Sequence, residues 1–216
     1  IGGKYKTVYD LPGRTIDKID PLGNKTHYEY DRNHRLAKVV NAAGSTTQYT
    51  YDALGNLHQV IDGAGFVTKH TYDLGNRRTK TQLPDGSVLT FKYDPFDNVT
   101  QATSPRGEVT QLFYDDAHQL TKMIDPMQGI YQWDYDLTGN PTQFTDPRGN
   151  VSSDLYDGRN RLVLSTDALG FTQRFAYDGI GRIANYTDQV GSSTSFVYDS
   201  QGRMTSRTNP DGGLSQ

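Results

Sequence analysis

One spacing constrains the fold of this chain more than any other feature: the dipeptide Tyr-Asp recurs every 21 residues, with no insertion or deletion. The pairs begin at Tyr9, Tyr30, Tyr51, Tyr72, Tyr93, Tyr114, Tyr135, Tyr156, Tyr177 and Tyr198. A fixed period of this size is typical of a repeat architecture, in which each repeat packs only against its neighbours. The sequence therefore predicts a single array of ten repeats over residues 1–216.

Each repeat contains a residue suited to a left-handed backbone, four positions after the motif tyrosine. The ten residues at this position are Gly13, His34, Gly55, Asn76, Asp97, His118, Gly139, Asn160, Gly181 and Gly202. Gly, Asn, Asp and His adopt positive φ more readily than other residues. We therefore expect positive φ at all ten, in a type I turn that closes a hairpin.

A second turn motif follows in every repeat, with the form Asp-Pro-x-Gly in Asp20–Gly23 and Asp146–Gly149. Proline presets φ at the second turn position, and glycine at the fourth position allows a left-handed exit. The glycine position holds glycine in nine repeats, and the exception is Gln128, which is followed by Gly129. Each repeat thus carries two tight turns.

The segments between the turns are about six residues long, which is the usual length of a strand. Pairs such as Tyr28/Tyr30 and Trp133/Tyr135 alternate with other residues, so both aromatics lie on one face of a half-buried strand. The pattern predicts an all-β, helix-free antiparallel meander of about twenty strands. A sheet roughly 90–100 Å wide cannot stay flat, so we expect a curved, spiralling wall with the tyrosines on one face.

Composition supports a thin β-structure and excludes several classes of protein. Leu, Ile, Val and Phe make up only about a fifth of the residues, near the level typical of disorder. However, the net charge is −3, and there are 15 Tyr, 8 Phe and one Trp, which disordered chains avoid. Near-neutral charge argues against a nucleic-acid binder. The sequence has no cysteine and no apolar run long enough to span a membrane, and we expect no signal segment within it.

The ten aspartates of the Tyr-Asp pairs are the most conspicuous candidates for chemistry. A catalytic carboxylate pair occurs once in an enzyme rather than ten times, so we interpret each Asp as an acceptor of backbone N–H groups in its own turn. Calcium is disfavoured because a basic residue such as Arg14 or Arg161 often follows the left-handed residue. The five histidines show no zinc-ligand spacing. The sequence thus predicts no catalytic, cofactor or metal residue and no enzymatic activity.

The residue pattern of the repeat resembles that of the RHS or YD repeat family. This family includes bacterial RHS polymorphic toxins, shell components of insecticidal Tc toxins and animal teneurins. Tyr177–Ile183 and Tyr51–Leu57 are close matches to its Tyr-Asp-x-x-Gly-Arg-Leu pattern. The resemblance implies a structural segment of a hollow β-shell that encloses a C-terminal toxin. It also implies secretion or display at the cell surface, often by type VI secretion in bacterial competition, with secretion or chaperone proteins as further partners.

Residues 1–216 contain no recognisable toxin domain and no Asp-Pro-x-Gly-Leu core segment, so any activity of a longer parent is expected outside this chain. The array is expected to be truncated at both ends, because residues 1–8 and 214–216 are incomplete repeats. The competing interpretation is a surface module that recognises glycans or a protein through its aromatic and arginine-bearing faces. The minimal turns favour the shell, since recognition modules carry longer and more variable loops.

Overall fold

The computed structural model describes residues 4–215, and every regular element in this range is a β-strand. Contacts group the chain into two units that divide between Val109 and Thr110. Within each unit, strands that are consecutive in sequence pair antiparallel. The prediction of an all-β antiparallel meander is therefore confirmed. The described range contains no helix that could cross a membrane.

The first unit contains ten strands and the second is built from the remaining eleven. The strands of the first unit are β1 (Lys6–Tyr9), β2 (Thr15–Ile19), β3 (Lys25–Tyr30), β4 (Leu36–Val40), β5 (Thr46–Tyr51), β6 (Leu57–Ile61), β7 (Val67–Tyr72), β8 (Arg78–Gln82), β9 (Val88–Tyr93) and β10 (Val99–Thr103). Those that follow are β11 (Val109–Tyr114), β12 (Leu120–Ile124), β13 (Ile130–Tyr135), β14 (Pro141–Thr145), β15 (Val151–Tyr156), β16 (Leu162–Thr166), β17 (Thr172–Tyr177), β18 (Ile183–Thr187), β19 (Ser193–Tyr198), β20 (Met204–Thr208) and β21 (Leu214–Ser215).

The Tyr-Asp turns have the geometry that their sequences predict. In the first of them, the Gly13 N–H donates to the Asp10 carbonyl at 3.0 Å, and the Asp10 N–H donates to the Arg14 carbonyl at 2.9 Å. All ten residues predicted to be left-handed have positive φ, from 58° at Asn160 to 96° at Gly181. The prediction is confirmed for glycine and non-glycine residues alike.

The second turns also have a left-handed exit in every repeat, including the one that lacks glycine there. Gln128 itself adopts a φ of 66°, so the backbone does not shift its left-handed position onto the neighbouring glycine. Gly129 has a different role. A Cβ at Gly129 would lie 2.6 Å from Oδ2 of Asp125, so a larger residue at this position would displace that carboxylate.

Each Tyr-Asp hairpin contains a β-bulge in the strand that follows the turn, and the repeat pattern alone did not predict it. In the β3–β4 pair, Glu29 lies opposite Lys38 and Tyr30 lies opposite Leu36, which leaves Ala37 without a partner. Bulges of this kind bend a strand and increase its local twist. They recur at the same step of the repeat in both units.

The sheets have no conventional hydrophobic core. Between residues 4 and 215 no hydrophobic side chain is fully buried, and only Thr81 and Thr194 are almost completely covered, at 7% and 8% exposure. Instead, motif tyrosines and the residues two positions before them alternate with exposed residues along their strands, for example in β13 (Tyr131, Trp133 and Tyr135). We call the face that carries these residues the aromatic face of each unit.

Candidate functional site at the Tyr-Asp turns

The motif aspartates accept hydrogen bonds within their own turns. In Asp157, Oδ1 accepts the N–H groups of Arg159 and Arg161 at 2.9 and 3.1 Å, and Oδ2 accepts Nε of Arg161 at 2.8 Å. In all ten motif aspartates, Oδ1 accepts the N–H of the residue four positions later. The interpretation of these aspartates as turn-forming acceptors is confirmed.

An arginine in the turn connects each of several repeats to the next one. The guanidinium of Arg161 bonds to Asp157 and also lies over the ring of Tyr177, with its Cζ 4.4 Å from the ring centroid. A cation over an aromatic face is attracted by the quadrupole of the ring. The same arrangement occurs in the pairs Arg14/Tyr30, Arg35/Tyr51, Arg77/Tyr93 and Arg182/Tyr198.

The tyrosine hydroxyl makes a second connection between repeats. Tyr177 donates to the carbonyl of Leu162 at 2.8 Å, next to the bulged residue Val163. Equivalent bonds, each to a carbonyl fifteen residues earlier, are made by Tyr30, Tyr51, Tyr72, Tyr93, Tyr135 and Tyr198. Because a bulge disrupts the ladder of backbone bonds, the hydroxyl supplies a donor where the ladder is interrupted.

Polar side chains at the left-handed positions join neighbouring turns along the same sheet edge. Nη1 of Arg14 lies 2.8 Å from Nδ1 of His34, and Nδ2 of Asn56 donates to Oδ1 of Asn76 at 2.9 Å. The preference of His and Asn for positive φ is sufficient to account for His34 and Asn76 at these positions. The bond to the preceding turn offers an additional reason for a polar residue where glycine would be less strained.

Hydrogen bonding lowers the pKa values of several motif carboxyls. The Arg161 side chain, together with backbone N–H groups, lowers the pKa of Asp157 to about 2. Side-chain hydrogen bonds from Asn140 and Thr138 hold the pKa of Asp136 still further below its usual value. Each of these groups thus stabilises the fold in its ionised form.

We expect acid to weaken the array as a result. A carboxyl with a depressed folded-state pKa stabilises the fold above its unfolded pKa and loses this contribution as the pH falls through the folded value. For Asp157 that window runs from 3.8 down to about 2. Melting temperatures measured by circular dichroism should therefore fall steeply between about pH 4 and pH 2.

The matched variant is Asp157→Asn, which removes the charge and keeps one acceptor. It should melt below the wild-type protein at pH 7, and the difference should shrink as the pH approaches 2. A difference that stays constant across this range would contradict an electrostatic contribution from Asp157.

The remaining titratable residues form no metal-binding cluster in the part of the chain that the structure describes. No group of three or more His, Cys, Asp or Glu side chains is placed to bind a metal within residues 4–215. The histidines are dispersed: Nδ1 of His27 lies 2.7 Å from Oδ1 of Asp17, and Nδ1 of His70 lies 3.0 Å from Oγ1 of Thr81. Burial lowers the pKa of His70, which disfavours its charged form.

Comparison with known protein families gives two matches. The model of the Teneurin YD-shell matches residues 5–172, and the model of the RHS Repeat matches residues 177–214. No curated protein matches the sequence significantly.

Several solved structures share the fold of the chain at low sequence identity. A crystal structure of TcdB2-TccC3 without its hypervariable C-terminal region aligns with a TM-score of 0.80 and 16% identity, over 99% of this chain and 13% of that one. The crystal structure of TcdB2-TccC3-TEV aligns with a TM-score of 0.70 and 15% sequence identity, over 98% of this chain and 15% of that one. The structure of the Photorhabdus luminescens Tc holotoxin pore aligns with a TM-score of 0.61 and 19% sequence identity, over 95% of this chain and 13% of that one. The chain thus spans about one seventh of the structures it resembles.

Proposed function

The chain belongs to the Teneurin YD-shell family, and from this premise we propose that it is a non-catalytic wall segment of a protein shell that encloses another part of the same polypeptide. The observation that carries the proposal is where the motif side chains make their contacts. Asp157 bonds within its turn, while Arg161 and Tyr177 bond between one repeat and the next. Aspartate, arginine and tyrosine often act in catalytic sites, but here the aspartate shapes its turn while the arginine and the tyrosine connect neighbouring repeats.

Lateral cohesion of this kind is what a single-layer wall requires. A sheet without a buried core gains little from packing against a second layer, so neighbouring repeats must stabilise each other directly. The contacts that recur in each unit run in the direction in which the repeats succeed one another. They therefore stabilise an extended wall.

The uniform turns support the same role. Each Tyr-Asp turn contains three residues between its closing backbone bonds, as between Asp10 and Arg14 or between Asp178 and Arg182. Loops that form a specific binding or catalytic site are usually longer and differ from one another. In a continuous wall each repeat packs against a neighbour on both sides, so turns of the same length are expected in every repeat.

The enclosed cargo in this proposal is a C-terminal toxic effector of an RHS-type polymorphic toxin that is secreted or displayed at the cell surface. Two observations support it: the family match, and the fold shared with Tc toxin structures whose chains are about seven times longer. Secretion or chaperone proteins would be the transient partners of such a polypeptide.

Protease protection in the longer polypeptide tests enclosure. We expect the segment that follows the repeats to survive a protease concentration that digests the same segment when it is expressed alone. Gly55→Val, which strains the wall, should make that segment more sensitive. Leu54→Ala in the same turn should not, because the Leu54 side chain is 67% exposed. Equal digestion of the segment alone and within the intact polypeptide would refute enclosure.

A further inference from the structure

Lysine is distributed very unevenly between the two units. Eight of the nine lysines lie in the first unit, and Lys122 is the one in the second. The strand register places six of the eight on the face opposite the aromatic face: Lys6, Lys25, Lys38, Lys69, Lys80 and Lys92. We call this face of the first unit the lysine face.

Ion pairing divides these lysines into two groups. Nζ of Lys25 lies 2.8 Å from Oδ2 of Asp17, and Nζ of Lys38 lies 2.8 Å from Oε1 of Glu29. Three other lysines lie on the consecutive strands β7, β8 and β9, and we call them the lysine row: Lys69, Lys80 and Lys92. All three are exposed, and within residues 4–215 none of them has an ion-pair or hydrogen-bond partner.

The surroundings of the lysine row leave its charge uncompensated. Strands β7, β8 and β9 contain no aspartate or glutamate. The residues directly opposite the row on neighbouring strands are all polar and uncharged: Gln59, Thr71, Gln82, Thr90 and Gln101. The row thus presents three positive charges, with amide and hydroxyl groups beside them, to whatever lies against this face.

The three lysines lie in an oblique line across the strands. Lys80 is directly opposite Thr71 on one side and Thr90 on the other, and these residues are each two positions from Lys69 and Lys92. Diagonal neighbours of this kind are about 7–8 Å apart. In an extended peptide, every second side chain points to the same side, at intervals of about 6.6–6.8 Å. The two spacings match closely, and the flexible lysine stems can absorb the difference.

We propose that the lysine row binds an extended acidic polypeptide segment that carries Asp or Glu at three alternate positions. Each ammonium group donates to one carboxylate, in the short, charge-assisted hydrogen bonds that such pairs form. The hydroxyls of Thr71 and Thr90 and the amide of Gln82 lie beside the row, where they can bond to backbone groups of the peptide.

The second unit shows that the wall itself does not need the lysine row. The corresponding positions on β13, β14 and β15 hold Gln132, Gln143 and Leu155, which carry no charge. The contacts of the Tyr-Asp turns nevertheless recur in both units, for example at Arg35/Tyr51 and Arg161/Tyr177. Binding by the row is therefore a function in addition to that of the wall.

The test uses two labelled peptides of identical composition and charge, Thr-Glu-Thr-Glu-Thr-Glu-Thr and Thr-Thr-Glu-Glu-Glu-Thr-Thr. Fluorescence anisotropy follows their binding to the 216-residue chain in low salt. We expect the alternating peptide to bind at least threefold more tightly, because only its carboxylates match the spacing of the row. Binding should be lost at about 1 M salt, where the Debye length is only about 3 Å.

Charge-matched variants locate the site. Lys80→Gln should weaken binding of the alternating peptide about threefold, the usual contribution of one exposed ion pair. The fold tolerates this change, because Gln143 occupies the equivalent position of another repeat. Lys18→Gln removes the same charge from the aromatic face, where Nζ of Lys18 lies 5.8 Å from the centroid of the Tyr28 ring, and should leave the affinity unchanged.

A triple variant completes the test. Lys69→Gln, Lys80→Gln and Lys92→Thr together should abolish binding while leaving the circular dichroism spectrum intact. Equal affinity for the two peptides, an equal effect of Lys18→Gln and Lys80→Gln, or tighter binding of a sulfated glycan or an oligonucleotide of the same charge would each overturn the proposal. The wall function of the repeats would stand in each case.

Discussion

Replacing Tyr177 by alanine should lower the free energy of unfolding of the second unit by about 2–4 kcal/mol. The substitution removes three contributions at once. The ring leaves the guanidinium of Arg161, the hydroxyl no longer donates to the carbonyl of Leu162, and the aromatic face loses one of its large side chains. Urea unfolding followed by the fluorescence of Trp133, the only tryptophan, measures the effect in the unit where it occurs.

Two controls separate these contributions. Tyr177→Phe keeps the ring and should cost about 0.5–1.5 kcal/mol, the usual contribution of one hydrogen bond. Ile180→Ala removes a side chain that is 76% exposed at the adjacent turn and should change the stability little. If Tyr177→Phe is as damaging as Tyr177→Ala, the ring makes no contribution of its own and the contact with Arg161 is incidental.

Replacing Gly55 by valine should cost about 1–3 kcal/mol in the first unit. Gly55 has a φ of +93°, a conformation that a β-branched residue adopts only with strain. Crowding is not the cause, because the nearest atom to an added Cβ is Nη1 of Arg35 at 3.6 Å, an ordinary contact distance. Urea unfolding followed by circular dichroism checks the prediction.

His34→Gly is the matched control, because it makes the opposite change at the equivalent position of another repeat. Glycine relieves the strain of His34 at a φ of 64° and removes the exposed contact with Arg14. These effects oppose each other, so the stability should stay within about 1 kcal/mol of the wild-type value. A loss as large as that of Gly55→Val would mean that the edge contact between His34 and Arg14 outweighs backbone strain.

The sequence by itself determined the features of this protein that depend on a few neighbouring residues. The left-handed positions, such as Gly13 and Asn160, follow from backbone preferences of single residues. The motif aspartates bond to the N–H group four residues later, and all except Asp10 also bond to the one two residues later, so their role is local as well. The period of 21 residues and the alternation of aromatic residues together predicted the strands and the face that each side chain occupies.

Only the tertiary structure decided the features that depend on how one strand is placed against another. The bulge at Ala37, the bond from Tyr51 to the Leu36 carbonyl and the position of Arg35 over the Tyr51 ring all depend on the pairing register. Asp154 and Gln173 are nineteen residues apart in sequence, and only the pairing of β15, β16 and β17 places Ser165 between them. Such contacts join residues far apart in sequence, and strand pairing across the sheet brings them together.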